Sequence, residues 1–143
     1  MAKAFSENDI EILISTMNQD SLDFLVPMFP YSHFSNFSIL IINQTQSEKK
    51  LTSSYRNIRV INSFEKGLAK STNLALENAV GKILVIADDD IIYQEGFINK
   101  IINVYHKFPK PAVINFSAIN SNGNLIKKYP SYPKSNLNTF DIL

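Results

Sequence analysis

The nine residues Lys82 to Asp90, with the sequence KILVIADDD, place five apolar residues directly before three aspartates. The apolar run, Ile83 to Ala87, is typical of a strand that is buried on both faces, as in a parallel sheet. Three adjacent carboxylates at the end of such a strand repel one another, and a divalent cation removes that repulsion. Ligands of open α/β sheets bind at the carboxyl ends of the strands. The stretch therefore predicts a site for a metal ion and a phosphate group.

Short apolar runs alternate with amphipathic segments along the rest of the chain. Strands are predicted at residues 10–14, 37–42, 58–61, 83–87, 112–119 and 125–129, and helices at about 22–26, 67–80 and 95–108. Asn122-Gly123 predicts a hairpin turn between the last two strands. This order implies an α/β fold with a mostly parallel sheet flanked by helices, and a C-terminal hairpin. We expect residues 1–129 to form one domain and residues 130–143 to be a poorly ordered tail.

The segment 67–80 has the clearest helical pattern in the sequence. Its apolar stripe is predicted to consist of Leu68, Ala75, Leu76, Ala79 and Val80, with Leu74 at its edge. Gly81 follows directly and is typical of a helix C-cap. We therefore expect this stripe to pack against the sheet.

Composition narrows the class of protein. The chain has 143 residues, enough for one hydrophobic core, and its formal net charge of +1 gives no electrostatic case for binding nucleic acid or an anionic membrane. Cysteine is absent, which excludes a disulfide scaffold and cysteine-ligated zinc. No apolar run approaches the ~20 residues that span a bilayer, and the N-terminus lacks the apolar region of a signal peptide. We predict a cytoplasmic location.

The spacing of the three aspartates suggests how they divide their roles. In an extended segment Asp88 and Asp90 point to one side of the strand and Asp89 points to the other. Asp88 and Asp90 could then share one divalent cation, whose other ligands would be phosphate oxygens and water, while Asp89 accepts hydrogen bonds from a ribose. Acidic residues are also favoured at the start of a helix. Spacing alone leaves both interpretations open.

A longer pattern leads up to the aspartates. Gly67 and Asn73 lie on one predicted helix, and Gly81 precedes the apolar run that ends in Asp-x-Asp. This order and spacing resemble family 2 glycosyltransferases of the GT-A (Rossmann-like) fold. The stretch IEILISTMN at 10–18 is similar to that family's first strand and the Thr-x-x-Asn type of turn that follows it. The resemblance covers roughly residues 9–108.

The resemblance implies a function. A domain of this family would bind a nucleotide-diphospho-sugar, with a UDP-sugar favoured, and would transfer the sugar to a saccharide acceptor, in surface or capsular polysaccharide synthesis. The metal, Mn²⁺ or Mg²⁺, would be held by Asp90 with Asp88 assisting. Asn43 stands where the family usually has an acid, and Thr72 stands where it often has Arg. The nucleotide would be contacted by Thr16 and Asn43 at the base, by Lys70 or Asn73, and by Asp89 at the ribose.

No acid of this sequence matches the family's catalytic base, which must take the proton of the attacking acceptor hydroxyl. After Asp90 the sequence contains only Glu95 and Asp141 as acids. We therefore expect a donor-binding half and assign no catalytic residue. A separate chain that supplies the acceptor half, self-association through exposed apolar surface, and peripheral association with a membrane are left open.

There are three alternatives to a glycosyltransferase. A non-catalytic module that binds nucleotide-sugars is motivated by the missing base. A receiver-type signalling domain would need acids after the first strand, and Ser15 to Asn18 contains none. A sugar nucleotidyltransferase would need a glycine-rich loop at the same place, and the sequence lacks one.

Overall fold

The computed structural model describes residues 4–46, 48–108 and 113–128. The chain divides into two compact units, Met1–Pro109 and Lys110–Leu143. The predicted limits at residues 129 and 130 stay a prediction, because residues 129–143 lie outside the described residues. The first unit contains β1 (Ile10–Met17), α1 (Leu25–Met28), β2 (Ile39–Gln44), β3 (Ile58–Ser63), α2 (Leu68–Asn78), β4 (Ile83–Asp88) and α3 (Phe97–Lys107).

The four strands form one sheet in the order β3-β2-β1-β4, and every neighbouring pair is parallel. The α/β class and the parallel sheet flanked by helices are therefore confirmed, and they agree with a GT-A fold. β1 lies between β2 and β4. The strands β2 and β3 follow on one side of β1 and β4 lies on its other side, so the strand order reverses between β1 and β4. No described helix is both long and apolar enough to cross a membrane.

Both faces of the sheet are packed, which explains the continuous apolar runs of β1 and β2. On one face, Ile12, Ile14, Ile39 and Ile41 form a cluster with residues of α1 and the segment that follows it. On the other face, Leu13, Leu40 and Ile42 pack against Ala75 of α2. At the start of the sheet, Ile10 and Ile83 pack against Ile101 of α3. Alternate residues of each strand therefore enter separate clusters.

The predicted apolar stripe of the segment 67–80 is confirmed for Ala75 and Ala79, which pack against the sheet, and wrong for its three larger members. Leu68, Leu76 and Val80 are exposed, whereas Ser71 and Ala75 are the buried residues of the helix. Small side chains at these two positions let the helix lie close to the strands, and the Ser71 hydroxyl donates a hydrogen bond to the Leu68 carbonyl at 2.9 Å. Close approach to the sheet thus decided which face is buried, and of the three leucines of α2 only Leu74 packs against the core cluster.

The predicted capping role of Gly81 is also wrong, because the C-cap of α2 is Ala79 in an extended conformation. The need for glycine at position 81 is tertiary. A Cβ atom there would lie 2.6 Å from the Cβ of Glu11 and 2.9 Å from the Glu11 backbone nitrogen. The Glu11 carboxylate accepts hydrogen bonds from the N–H groups of Val80 and Gly81 at 2.6 and 3.0 Å. Gly81 therefore lets the chain pass close to β1.

The second unit contains the predicted hairpin in a shorter form. The turn spans Asn120–Gly123, where the Gly123 N–H donates to the Asn120 carbonyl at 2.9 Å and Gly123 has φ +78, and Ile119 forms an antiparallel bridge with Leu125. The hairpin is confirmed, but over the described residues 113–128 it is one bridge and not two strands. A two-stranded hairpin alone is marginally stable. Here the Asn120 side chain supports the turn, because it accepts hydrogen bonds from the backbone N–H groups of Asn122 and Asn124, both at 3.0 Å.

Candidate active site

The aspartates lie at the carboxyl edge of the sheet, at the point where the strand order reverses. Asp88 is the last residue of β4 and pairs in register with Ser15 of β1. Asp89 and Asp90 follow in a turn. In open α/β sheets the crevice between two strands at such a reversal is where ligands bind. The arrangement therefore marks the β1–β4 crevice as the candidate site.

Thr16 and Asp89 are joined across this crevice. The Thr16 hydroxyl donates a hydrogen bond to the Asp89 carboxylate, and the Thr16 side chain is buried. Sequence reasoning had assigned these residues to a base pocket and to a ribose without expecting a contact between them. The contact orients Asp89 with one of its oxygens engaged, and the carboxylate keeps acceptor capacity for a ligand.

Asp88 and Asp90 are both exposed. The expectation that they point to the same side assumed an extended segment, and that premise is wrong because β4 ends at Asp88 and a turn begins at Asp89. Within the described residues, no three carboxylate or imidazole side chains are grouped so that they could hold a metal ion. A cation that takes one or two carboxylates and completes its shell with phosphate and water still fits such oxygen ligands. Metal binding by these residues stays a prediction.

Asn43 is fully buried, and its amide is occupied by protein groups. Its Nδ2 donates to the Gln19 carbonyl at 2.9 Å and to Asn62 Oδ1 at 3.0 Å, and its Oδ1 accepts from the Gln19 N–H at 3.1 Å. Both amide hydrogens are therefore used within the fold. Direct contact between Asn43 and a base stays a prediction, for which only the second lone pair of Oδ1 is free in this arrangement.

Lys70 and Asn73 lie on the exposed side of α2. The Lys70 ammonium pairs with Glu65 at 3.2 Å. Within the described residues neither side chain is hydrogen-bonded or ion-paired with the aspartates. Their contact with a nucleotide stays a prediction.

Two residues at this edge were missed by sequence reasoning. Gln44, the last residue of β2, is buried, and its Oε1 accepts a hydrogen bond from the Gly67 N–H at 2.6 Å, directly before α2. Asn62 of β3 binds both the N–H and the carbonyl of Leu51. The available signal was that polar residues follow each apolar run at matching register positions. The sequence does not show which of these polar side chains face one another.

Two clefts of about 190 Å³ each lie away from this edge. One is lined by Phe29, Phe37 and Phe97, and the other by Ile10 and Asn57 among others. Neither includes the aspartates. At the candidate site itself, Asp88 and Asp90 are exposed and Asp89 is half-buried.

Comparison with known protein families gives a match over this part of the chain. The model of glycosyl transferase family 2 matches residues 32–142 of the 143 residues, a range that holds β2, β3, α2, β4 and the aspartates and begins after β1. No curated protein and no solved structure gives a significant match. The predicted resemblance to this family is confirmed, but its predicted range of roughly 9–108 is not, because the match leaves out the stretch 10–18 and extends past residue 108. A domain of this family in general binds a nucleotide-sugar donor and an acceptor. The chain belongs to glycosyl transferase family 2.

Proposed function

We propose that this domain binds a nucleotide-diphospho-sugar in the β1–β4 crevice and transfers the sugar to a saccharide acceptor. The observation that carries the proposal is the hydrogen bond from buried Thr16 to Asp89, which joins the two strand ends at the reversal of strand order. Membership of glycosyl transferase family 2 supports sugar transfer in general. In the proposal a UDP-sugar is the favoured donor, the acceptor belongs to a surface or capsular polysaccharide, and the site is cytoplasmic.

In the proposal the three aspartates bind different parts of the donor. Asp89, held by Thr16, accepts hydrogen bonds from the ribose hydroxyls. Asp88 and Asp90 are exposed carboxylates whose oxygens suit Mn²⁺ or Mg²⁺, with phosphate oxygens and water as further ligands. When bound, the ion supplies Lewis-acid stabilisation of the leaving diphosphate.

Transfer itself exchanges two bonds. The acceptor hydroxyl oxygen forms a bond to the anomeric carbon while the bond from that carbon to the diphosphate oxygen breaks, and the nucleoside diphosphate leaves with the electron pair. The hydroxyl proton needs a base. Glu95 is the only acid after Asp90 in the described residues, and it is exposed beside the cleft next to α3. This observation favours a second candidate function, a nucleotide-sugar-binding module without transfer activity.

Calorimetry with UDP and Mn²⁺ tests the proposed site. We expect wild type to bind only when the metal is present, Asp90→Ala to bind at least about tenfold more weakly, and Glu77→Ala, which removes an exposed acid of α2, to bind like wild type. If wild type binds no nucleoside diphosphate with or without metal, the proposal is wrong. Release of UDP from a UDP-sugar, with and without saccharide acceptors, then separates the two candidates, because the non-catalytic module releases none.

A further inference from the structure

The side-chain amides of Asn43 and Asn62 form a hydrogen-bonded pair, the clasp, which binds two loops to the carboxyl edge of the sheet. Asn43 of β2 holds the backbone of Gln19 through both its N–H and its carbonyl, at 3.1 and 2.9 Å. Asn62 of β3 holds the backbone of Leu51 in the same way, at 3.0 and 2.9 Å. The two amides are joined by a 3.0 Å hydrogen bond from Asn43 to Asn62. Together they connect the loop after β1 with the segment before β3.

This clasp belongs to the same row of side chains as the candidate site. Asn62 pairs in register with Asn43, and Asn43 pairs with Thr16, which binds Asp89. Four polar side chains therefore follow one another from β3 to the end of β4. The clasp lies at one end of the row and the aspartate at the other, so the Gln19 and Leu51 segments flank the place where the nucleotide of the proposed donor would lie.

The segments held by the clasp are fixed firmly. Asn43 is fully buried, and the Leu51 side chain is buried in the core cluster beneath it. A loop whose N–H and carbonyl are both bound, as in a strand ladder, has little freedom left to lose when a ligand binds. Because both amide hydrogens of Asn43 are engaged, the pair acts on a ligand through the backbone that it positions.

We propose that Asn62 is a positioning residue of the nucleotide site, which holds the Leu51 segment directly and the Gln19 segment through Asn43, as the walls against which the base fits. The inference rests on the proposed function. Loss of Asn62 frees the Leu51 backbone and removes one partner of Asn43. The base should then bind more weakly and with less discrimination, because a loosened wall accommodates different bases more equally.

The experiment compares Asn62→Ala with Asn57→Ala. Asn57 donates to the carbonyls of Ser35 and Phe37 at 2.5 and 2.6 Å, so its loss also removes two side-chain hydrogen bonds to backbone, before β3 and away from the aspartates. Affinities for UDP, CDP, GDP and ADP are measured with Mn²⁺ on folded protein. We expect Asn62→Ala to bind the preferred nucleotide about tenfold more weakly and to lose most of the preference, and Asn57→Ala to stay within about twofold of wild type.

Amide hydrogen exchange at Gln19 and Leu51 gives a second readout, and we expect faster exchange at both in Asn62→Ala only. If Asn62→Ala does not fold, Asn62→Asp replaces it, since Asp keeps the acceptor oxygen and loses the donor to the Leu51 carbonyl. Unchanged affinity and preference in a folded Asn62 variant would overturn the inference and leave the proposed function standing. Absence of nucleotide binding by wild type would instead overturn the proposed function, and the inference with it.

Discussion

Arg59 of β3 and Glu11 of β1 form an ion pair across the intervening strand β2, with 2.6 Å between Nη2 of Arg59 and Oε1 of Glu11. Glu11 is buried, and Arg59 is 41% exposed. The same guanidinium donates to the Asn78 carbonyl at the end of α2, at 2.9 Å. The pair thus ties β1 and β3 to the connection between α2 and β4, which places β4 and its aspartates beside β1.

Removal of Arg59 should destabilise the fold strongly. In Arg59→Met the Glu11 carboxylate stays buried without its cation, and we expect a loss of about 3 kcal/mol in the free energy of unfolding, measured in urea. Glu65→Gln is the control, because it breaks the exposed pair with Lys70 and should cost less than about 1 kcal/mol. Equal losses in the two variants would contradict the structural role of the Glu11 pair.

Two carboxyl groups make stability depend on acid pH. Burial raises the pKa of Glu11, but hydrogen bonds from Arg59 and from the Val80 and Gly81 amides outweigh it, so this pKa lies below its ordinary 4.5. A hydrogen bond from Lys82, with further ones from Ser6, lowers the pKa of Asp9 from 3.8 to about 2. A depressed folded-state pKa contributes stability that is full above the unfolded-state pKa and is lost as pH falls through the folded-state value.

The contribution of these two carboxyl groups to stability should therefore be constant above about pH 5 and fall progressively towards about pH 2. Urea unfolding at half-unit pH steps measures the slope. Glu11→Gln should be less stable than wild type at pH 6, and its stability should fall less steeply, because one of the titrating groups is gone. A wild-type stability that does not change between pH 5 and pH 2.5 would refute this assignment.

Gly81 should not tolerate a methyl group. In Gly81→Ala the new Cβ meets Glu11 at 2.6 Å from its Cβ and 2.9 Å from its backbone nitrogen, so the chain must move, and we expect a loss of about 2–3 kcal/mol. Gly96→Ala is the comparison. In the described part of the chain, a Cβ at Gly96 would meet no atom within 4 Å apart from its own chain neighbours, and the φ of +71 should cost about 1 kcal/mol. Thermal unfolding of both variants separates the clash from backbone strain.

The Tyr93 hydroxyl is buried, and it has no hydrogen-bond partner in the part of the chain that the structure describes. Burial raises the pKa of Tyr93. The ring stacks on Phe29 and Phe97, with centroids 5.0 and 4.2 Å apart. Because Tyr93→Phe keeps the stacking and removes an unsatisfied group, we expect it to raise the free energy of unfolding by about 1 kcal/mol.

The control for this variant is Tyr31→Phe, since Tyr31 is 65% exposed and should leave stability unchanged. Chemical denaturation of both variants checks the prediction. A clear loss of stability in Tyr93→Phe alone would show that the hydroxyl has a partner.

The sequence alone was sufficient for the features that arise from neighbouring residues. The apolar run before Asp88 forms a strand, and the alternation of such runs with helical segments indicated a parallel α/β sheet. The predicted burial of this run on both faces is wrong, because β4 is the end strand of the described sheet and Ile86 is 59% exposed. The glycine-helix and Asp-x-Asp spacing indicated the family. These succeed because burial on both faces and the β-α-β order leave local, contiguous patterns in the chain.

Other features depend on contacts between distant residues, and only the tertiary structure decided them. Glu11 looked like one acid inside an apolar run, and its partner Arg59 is 48 residues away. Asn43 and Asn62 are 19 residues apart, and Thr16 and Asp89 are 73 residues apart. Such residues are neighbours only because the parallel strands lie in the order β3-β2-β1-β4. The composition of a single segment carries no record of that order. The position of the aspartates at a strand end was therefore predictable from the sequence, and the contact between Thr16 and Asp89 was not.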